Sequence, residues 1–228
     1  MKNVLFYISG HGYGHAVRTI EVVRALCESR DDVSIKIKTT APLWLFRDLI
    51  LEKKIEVLEA NLDAGVVEVN PLFIDTVKTV EKLSDFIRHS INIFSKELAY
   101  GFQNNISLII SDIPALAGEI AAKMNVPCLA ASNFLWDWIY EPLIIDEEYR
   151  NSILMPLRAG YSKMTCWMRY PFYHNSSMLN KITDVSLVVR KVEHTAEELQ
   201  REFKLDTNKR TVYIAFRGGL DQKVIAMA

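Results

Sequence analysis

Residues 4–18 read Val4-Leu5-Phe6-Tyr7-Ile8-Ser9-Gly10-His11-Gly12-Tyr13-Gly14-His15-Ala16-Val17-Arg18. Five apolar residues closed by Ser9-Gly10 predict a strand buried on both faces, as the strands of parallel sheets are. A helix is expected from about residue 16 to residue 28, with Ile20, Val23, Leu26 and Cys27 on its inner side. A strand, a glycine-rich turn and a helix in that order open an α/β fold.

The pattern repeats along the chain. Asp31-Asp32 turns into a second strand at 33–38, and Pro42 suits an early position in a helix carrying Leu45, Leu49 and Ile50. A short strand is expected at 55–58. Val77, Val80, Leu83, Ile87, Ile91, Phe94 and Leu98 recur every three or four positions and predict a long helix between 76 and 99. Residues 106–110 form a further buried strand, a helix carries Leu116, Ile120 and Met124, and another strand spans 127–131. This βαβαβαβαβ order predicts a mostly parallel sheet with helices on both faces.

Beyond Phe134 the periodicity weakens, although residues 146–158 are expected to be helical. Thr195 and Glu198 form a capping-box pattern before a helix ending near Phe203. A polar run at 206–210 reads as a linker, and 211–216 as one more strand before Gly218-Gly219. The expected organisation is a Rossmann-like domain at 1–190, a helix and linker at 191–210, and the first strand and glycine turn of a second domain at 211–228.

The chain has 228 residues, half of them hydrophobic, and a formal charge of −1, which gives no general reason to expect a nucleic-acid partner. Cys27, Cys128 and Cys166 match no disulfide or zinc spacing and read as small buried hydrophobes in a reducing compartment. The apolar run after Lys2 is too short for a signal peptide, and no stretch reaches the length of a membrane span. A soluble cytoplasmic protein is the expectation.

Gly10, Gly12 and Gly14 let a ligand approach the main chain, and the helix that follows presents unpaired N–H groups to a polar or anionic group. A dinucleotide fingerprint fits poorly. Its third glycine position holds His15, and the second strand ends Lys36-Ile37-Lys38-Thr39-Thr40 without the ribose-binding acid. No P-loop pattern occurs. His11 and His15 lie where ligands bind in this architecture, and an imidazole can accept the proton of a hydroxyl nucleophile near neutral pH. Asp112, at the end of the fourth strand, falls on the same rim. It can orient an imidazole, or it can be a helix N-cap.

Gly10-His11-Gly12-Tyr13-Gly14-His15-Ala16-Val17-Arg18, Ser132-Asn133-Phe134-Leu135-Trp136-Asp137-Trp138-Ile139-Tyr140 and Asp184-Val185-Ser186-Leu187-Val188-Val189-Arg190 resemble, in order, segments of the glycosyltransferase-like domain that precedes the kinase in plant L-arabinokinases. More widely the chain is similar to the GT-B superfamily, which includes the lipid-linked N-acetylglucosaminyltransferase of peptidoglycan synthesis and plant UDP-sugar transferases. No sugar-kinase motif follows.

The resemblance implies an inverting glycosyltransferase that uses a nucleotide sugar, with no metal and no other cofactor. It makes His15 the general base, with His11 as second choice, and Asp112 its orienting acid. Gly10, His11, Gly12, Tyr13, Gly14, Arg18, Asn133, Trp136 and Asp137 become substrate-binding candidates; Arg217, Gly218 and Gly219 become donor-side candidates. The acceptor would be a small molecule, a glycan or a lipid-linked sugar, with the aromatic and basic residues 164–173 the segment that would touch a lipid-linked one; a peripheral membrane contact is compatible with this reading. The nucleotide-binding helix region of the family's second domain has no counterpart before Ala228, so the expectation is a partial enzyme. The competing reading is a sugar- or nucleotide-binding module that has lost catalysis.

Overall fold

A computed structural model describes residues 1–213 other than 54, 71, 177 and 180. Seven parallel strands form the central sheet: β1 (Lys2–Ile8), β2 (Val33–Thr39), β3 (Glu56–Glu59), β6 (Ile106–Asp112), β7 (Cys128–Ser132), β8 (Cys166–Arg169) and β9 (Ile182–Asp184). Their spatial order is β3-β2-β1-β6-β7-β8-β9. A small hairpin, β4 (Glu68–Asn70) and β5 (Phe73–Ile74), stands outside it. The helices are α1 (Tyr13–Ser29), α2 (Arg47–Lys53), α3 (Thr76–Gln103), α4 (Leu116–Met124), α5 (Trp136–Tyr140), α6 (Glu147–Ser162) and α7 (Ala196–Glu202).

Two cores result, one on each face of the sheet. The alternation of β1 shows the division: Leu5 and Tyr7 enter the core beneath α3, α4 and α6, while Val4, Phe6 and Ile8 face α1 and α2. All five are essentially sealed from solvent, which is why the strand reads as an unbroken apolar run. α4 lies so close to α6 that a Cβ on Gly118 would stand 2.0 Å from the Gly160 carbonyl oxygen. Among the described residues no helix is long and apolar enough to cross a membrane. Cys128 and Cys166 are buried and Cys27 half-buried.

After β3 the chain crosses to the other side of β1, so β1 pairs with β2 on one side and β6 on the other. That reversal is the point at which open α/β sheets leave a crevice at the carboxyl ends of their strands. The register places Ile8 opposite Asp112 there.

Several expectations need correction. α1 begins at Tyr13, ahead of the start expected near residue 16, which puts His15 in its first turn. Asp112 caps no helix: α4 starts at Leu116 with Ala115 as its N-cap. Residues 136–140, where the sequence shows no clear period, form the short helix α5, with Trp136 and Tyr140 on one buried face, their rings stacked 5.3 Å apart. Within residues 164–173 the aromatic side chains divide: Trp167 and Tyr170 are buried around β8, whereas Phe172 and Tyr173 are exposed. Residues 211–213 are exposed and irregular, and the rest of the strand expected at 211–216 lies outside the described residues.

Candidate active site at the sheet's switch point

His15, Arg18 and Thr19 sit three and four residues apart on α1 and therefore project from one face of it. That face looks onto the end of β6, and all three side chains converge on Asp112. His15 Nδ1 lies 2.8 Å from Asp112 Oδ1. Arg18 Nη2 donates to both carboxylate oxygens at 2.8 Å, and Nε adds a longer bond to Oδ2 at 3.2 Å. Thr19 Oγ1 donates to Oδ2 at 3.0 Å. Asp112 is 1% exposed. Burial alone would raise its carboxyl, but the adjacent His15 and Arg18 reverse that and hold it below the ordinary value of 3.8.

An ionised Asp112 can only accept hydrogen bonds, which assigns the proton to His15 Nδ1 and the free lone pair to Nε2. Nε2 has no hydrogen-bond partner among the described residues. The ring is 8% exposed as a residue and rests edge-on against Phe134. This is the arrangement a general base requires: one nitrogen tethered to a buried acid, the other open.

His11 occupies different surroundings. It lines a cavity of ≈ 470 Å³ together with Gly10, Thr40, Asp63, Glu68 and Lys82, among others. Its Nε2 lies 3.6 Å from Glu68 Oε1, and its ring meets Trp136 edge-on at 5.6 Å. Burial lowers its pKa below 6.5 despite the nearby Glu68 and Asp63, so it is neutral near pH 7. Gly65, at φ +64°, lets the loop after β3 pass the imidazole, where a Cβ would come within 2.9 Å of the ring.

The turn itself is built for closeness. Gly12 adopts φ 78°, a conformation open to glycine, and begins α1 with no side-chain cap, so the first amides of the helix stay available. A Cβ on Gly10 would stand 1.9 Å from Thr40 Oγ1. Gly14 has open space around it. Tyr13 is exposed and packs edge-on against Trp44.

The other predicted residues divide. Asn133 belongs to the cluster, its Oδ1 accepting from Arg18 Nη1 at 3.2 Å. Arg18 is neither a solvated helix charge nor a free phosphate ligand, since its fork is engaged by Asp112 and Asn133 and its plane covers Tyr170 at 4.5 Å. Trp136 is buried and offers no stacking face; it donates Nε1 to Asp63 at 2.8 Å and so backs the cavity. Asp137 points elsewhere, buried beside Arg158 at 3.5 Å, where burial pushes its carboxyl up. Arg217, Gly218 and Gly219 lie outside the described residues.

Sequence reasoning passed over Asp63, Glu68 and Lys82. Asp63 is 8% exposed, and burial raises its carboxyl even though Ser9 and Trp136 both hydrogen-bond to it. Its one legible sign was an Asp-Ala-Gly turn after the third strand, on the rim that already carried the glycine loop.

No protein-family model matches the chain. It is 28% identical over 215 residues to the L-arabinokinase of Arabidopsis thaliana, a match that covers 93% of this chain and 20% of that protein. Among solved structures it superposes on Arabidopsis thaliana UGT89C1 complexed with quercetin (TM-score 0.55, 12% identity, 89% of this chain and 54% of that one). It also superposes on Phytolacca americana UGT2 complexed with UDP-2-fluoro-glucose and pterostilbene (TM-score 0.54, 10% identity, 90% and 57%). The chain thus spans a fifth of the curated relative and just over half of each transferase. The likeness to these two transferases shows the fold, a Rossmann-like α/β unit built on a parallel sheet.

Proposed function

We propose that this chain supplies the acceptor side of a nucleotide-sugar-dependent, inverting glycosyltransferase, with His15 as general base. The observation that carries the reading is the 2.8 Å contact between His15 Nδ1 and the buried, ionised Asp112, which leaves Nε2 as the open base. In the reaction the acceptor oxygen forms a bond to the anomeric carbon as its proton passes to His15 Nε2. The bond to the diphosphate breaks, and the nucleoside diphosphate departs with the electron pair. Asp112 then faces the imidazolium across the same contact and offsets its charge. The uncapped first turn of α1 presents amides at the same rim, suited to a polar group of either substrate. Hexosyl donors are the class we propose, as in the structurally similar transferase solved with a UDP-glucose analogue.

One observation favours a second reading. Asp112 is already saturated by Arg18 and Thr19, so the cluster would hold together with no catalytic demand on it. The chain would then be a sugar- or nucleotide-binding module. Turnover of UDP-hexoses by the protein expressed from its complete reading frame separates the two. A loss of about 10²–10⁴-fold in His15→Ala is expected for a removed general base, with a parallel fall in Asp112→Asn. Full activity in His15→Ala would transfer the role to His11. Ligand binding without turnover by the wild-type protein would leave the module.

A further inference from the structure

The cavity beside His11 differs in chemistry from what an aromatic acceptor needs. Its polar walls are Thr40, Asn61, Asp63, Glu68 and Lys82, arriving from the turn after β2, the loop after β3, β4 and α3. Apart from His11 itself, no aromatic side chain lines it among the described residues, because Trp136 is turned inward to hydrogen-bond Asp63. Among the described residues Lys82 is the one cationic side chain in the lining and is matched by the Glu68 carboxylate, so the walls carry no excess of positive charge to hold a phosphate or carboxylate. With His11 neutral, the cavity has an excess of hydrogen-bond acceptors.

Asp63 is the decisive group. It is more than nine-tenths buried, and burial works against its charge. The Ser9 hydroxyl that bonds to it also receives the His11 amide at 3.2 Å, so the carboxyl is anchored to the glycine loop itself. A carboxyl set so deep in a cavity wall is met best by a ligand that brings O–H donors. The volume, ≈ 470 Å³, falls within the roughly 300–1,000 Å³ typical of small-molecule sites.

We infer that this cavity accepts a neutral polyhydroxylated acceptor, a sugar or a polyol, and that Asp63 and Glu68 select it by taking hydrogen bonds from its hydroxyls. The two transferase structures above hold quercetin and pterostilbene, so the inference separates this chain from a fold it shares. It rests on the reading of this rim as the acceptor side, and its test measures binding alone, so that it fails or stands apart from turnover. A site built around hydroxyl groups discriminates strongly against ligands that lack them.

The test is saturation-transfer NMR and calorimetry on the chain with methyl glycosides of common hexoses and pentoses, inositol, glucose 6-phosphate and quercetin. Saturable binding of at least one neutral glycoside or inositol is expected, weakened tenfold or more in Asp63→Asn and severalfold in Glu68→Gln. Asp63→Asn keeps an acceptor for Trp136 and relieves a buried carboxyl, so its melting temperature should not fall below that of the wild type; this separates lost affinity from lost fold. The inference is overturned by preferred binding of quercetin or of the sugar phosphate, by no binding from any neutral probe, or by unchanged affinity in both variants. Sugar binding in a protein that transfers nothing would uphold it and sink the transferase reading.

Discussion

Asp112 holds three neighbours on two oxygens, with 1% of its surface exposed. Its folded carboxyl titrates below the ordinary 3.8, so its contribution to stability is complete above that value and is lost as pH falls through the lower, folded one. Asp112→Asn should therefore lower unfolding free energy at pH 7 by about 1–3 kcal/mol, the cost of leaving buried donors poorly matched. The difference from wild type should narrow as the pH is taken down toward 3. Urea titrations across that range check it; a difference constant with pH would mean that shape, not charge, is what Asp112 supplies. At this scale His15 and Asp112 were legible from residue type and rim position. The Arg18 fork was not, because a lone helical arginine carries no sign of the partner it will find.

α4 makes the element-scale case. Gly118 on it and Gly160 on α6 allow the two backbones to approach so closely that a methyl group has nowhere to go. Overpacking of this kind costs about 1–3 kcal/mol, so Gly118→Ala should destabilise the protein by that amount in a urea titration, despite alanine's better helix propensity. A neutral or stabilising result would show that α4 and α6 can separate at little cost. The long helix α3 was plain from its period, and Asp75, whose side chain accepts from the Lys78 amide, sets its start. The short α5 was obscured because aromatics at 134, 136, 138 and 140 alternate like a strand. The structure resolves them by the helical spacing of Trp136 and Tyr140, which share a face while Trp138 turns outward. β8 and β9 went unseen because they are four and three residues long, too short for alternation to register.

Across the molecule, one buried ion pair ties the sheet to its longest helix. Lys38 on β2 donates to both oxygens of Glu97 on α3, at 2.8 and 2.9 Å, and stands 3.5 Å over the Tyr100 ring. Tyr7 on β1 adds a hydrogen bond of 2.9 Å to Glu97. Burial first, and Glu97 after it, push the Tyr7 phenol upward, so it remains a donor at any ordinary pH. Lys38→Met would strand Glu97 and should cost about 3–5 kcal/mol, whereas Lys38→Met with Glu97→Gln should recover much of the loss, since a neutral amide still accepts from Tyr7. Chemical denaturation of the two variants distinguishes a desolvated charge from a general packing defect: equal losses in both would indicate the latter.

The amino-acid sequence by itself determined the α/β class, the parallel sheet, the glycine turn and the two residues proposed as base and orienter. Each of these is written in local pattern: apolar runs, helical period, and chemically distinctive residues at strand ends. Tertiary structure alone decided that β1 lies between β2 and β6, which is what brings residues 15 and 112 into contact. It alone lined the cavity with Asp63, Glu68 and Lys82 from three separate segments, turned Trp136 inward and withdrew Asp137 beside Arg158. The physical reason is the same throughout. A side chain's type and spacing are local properties, whereas its desolvation and its partners depend on which distant elements the fold sets against it.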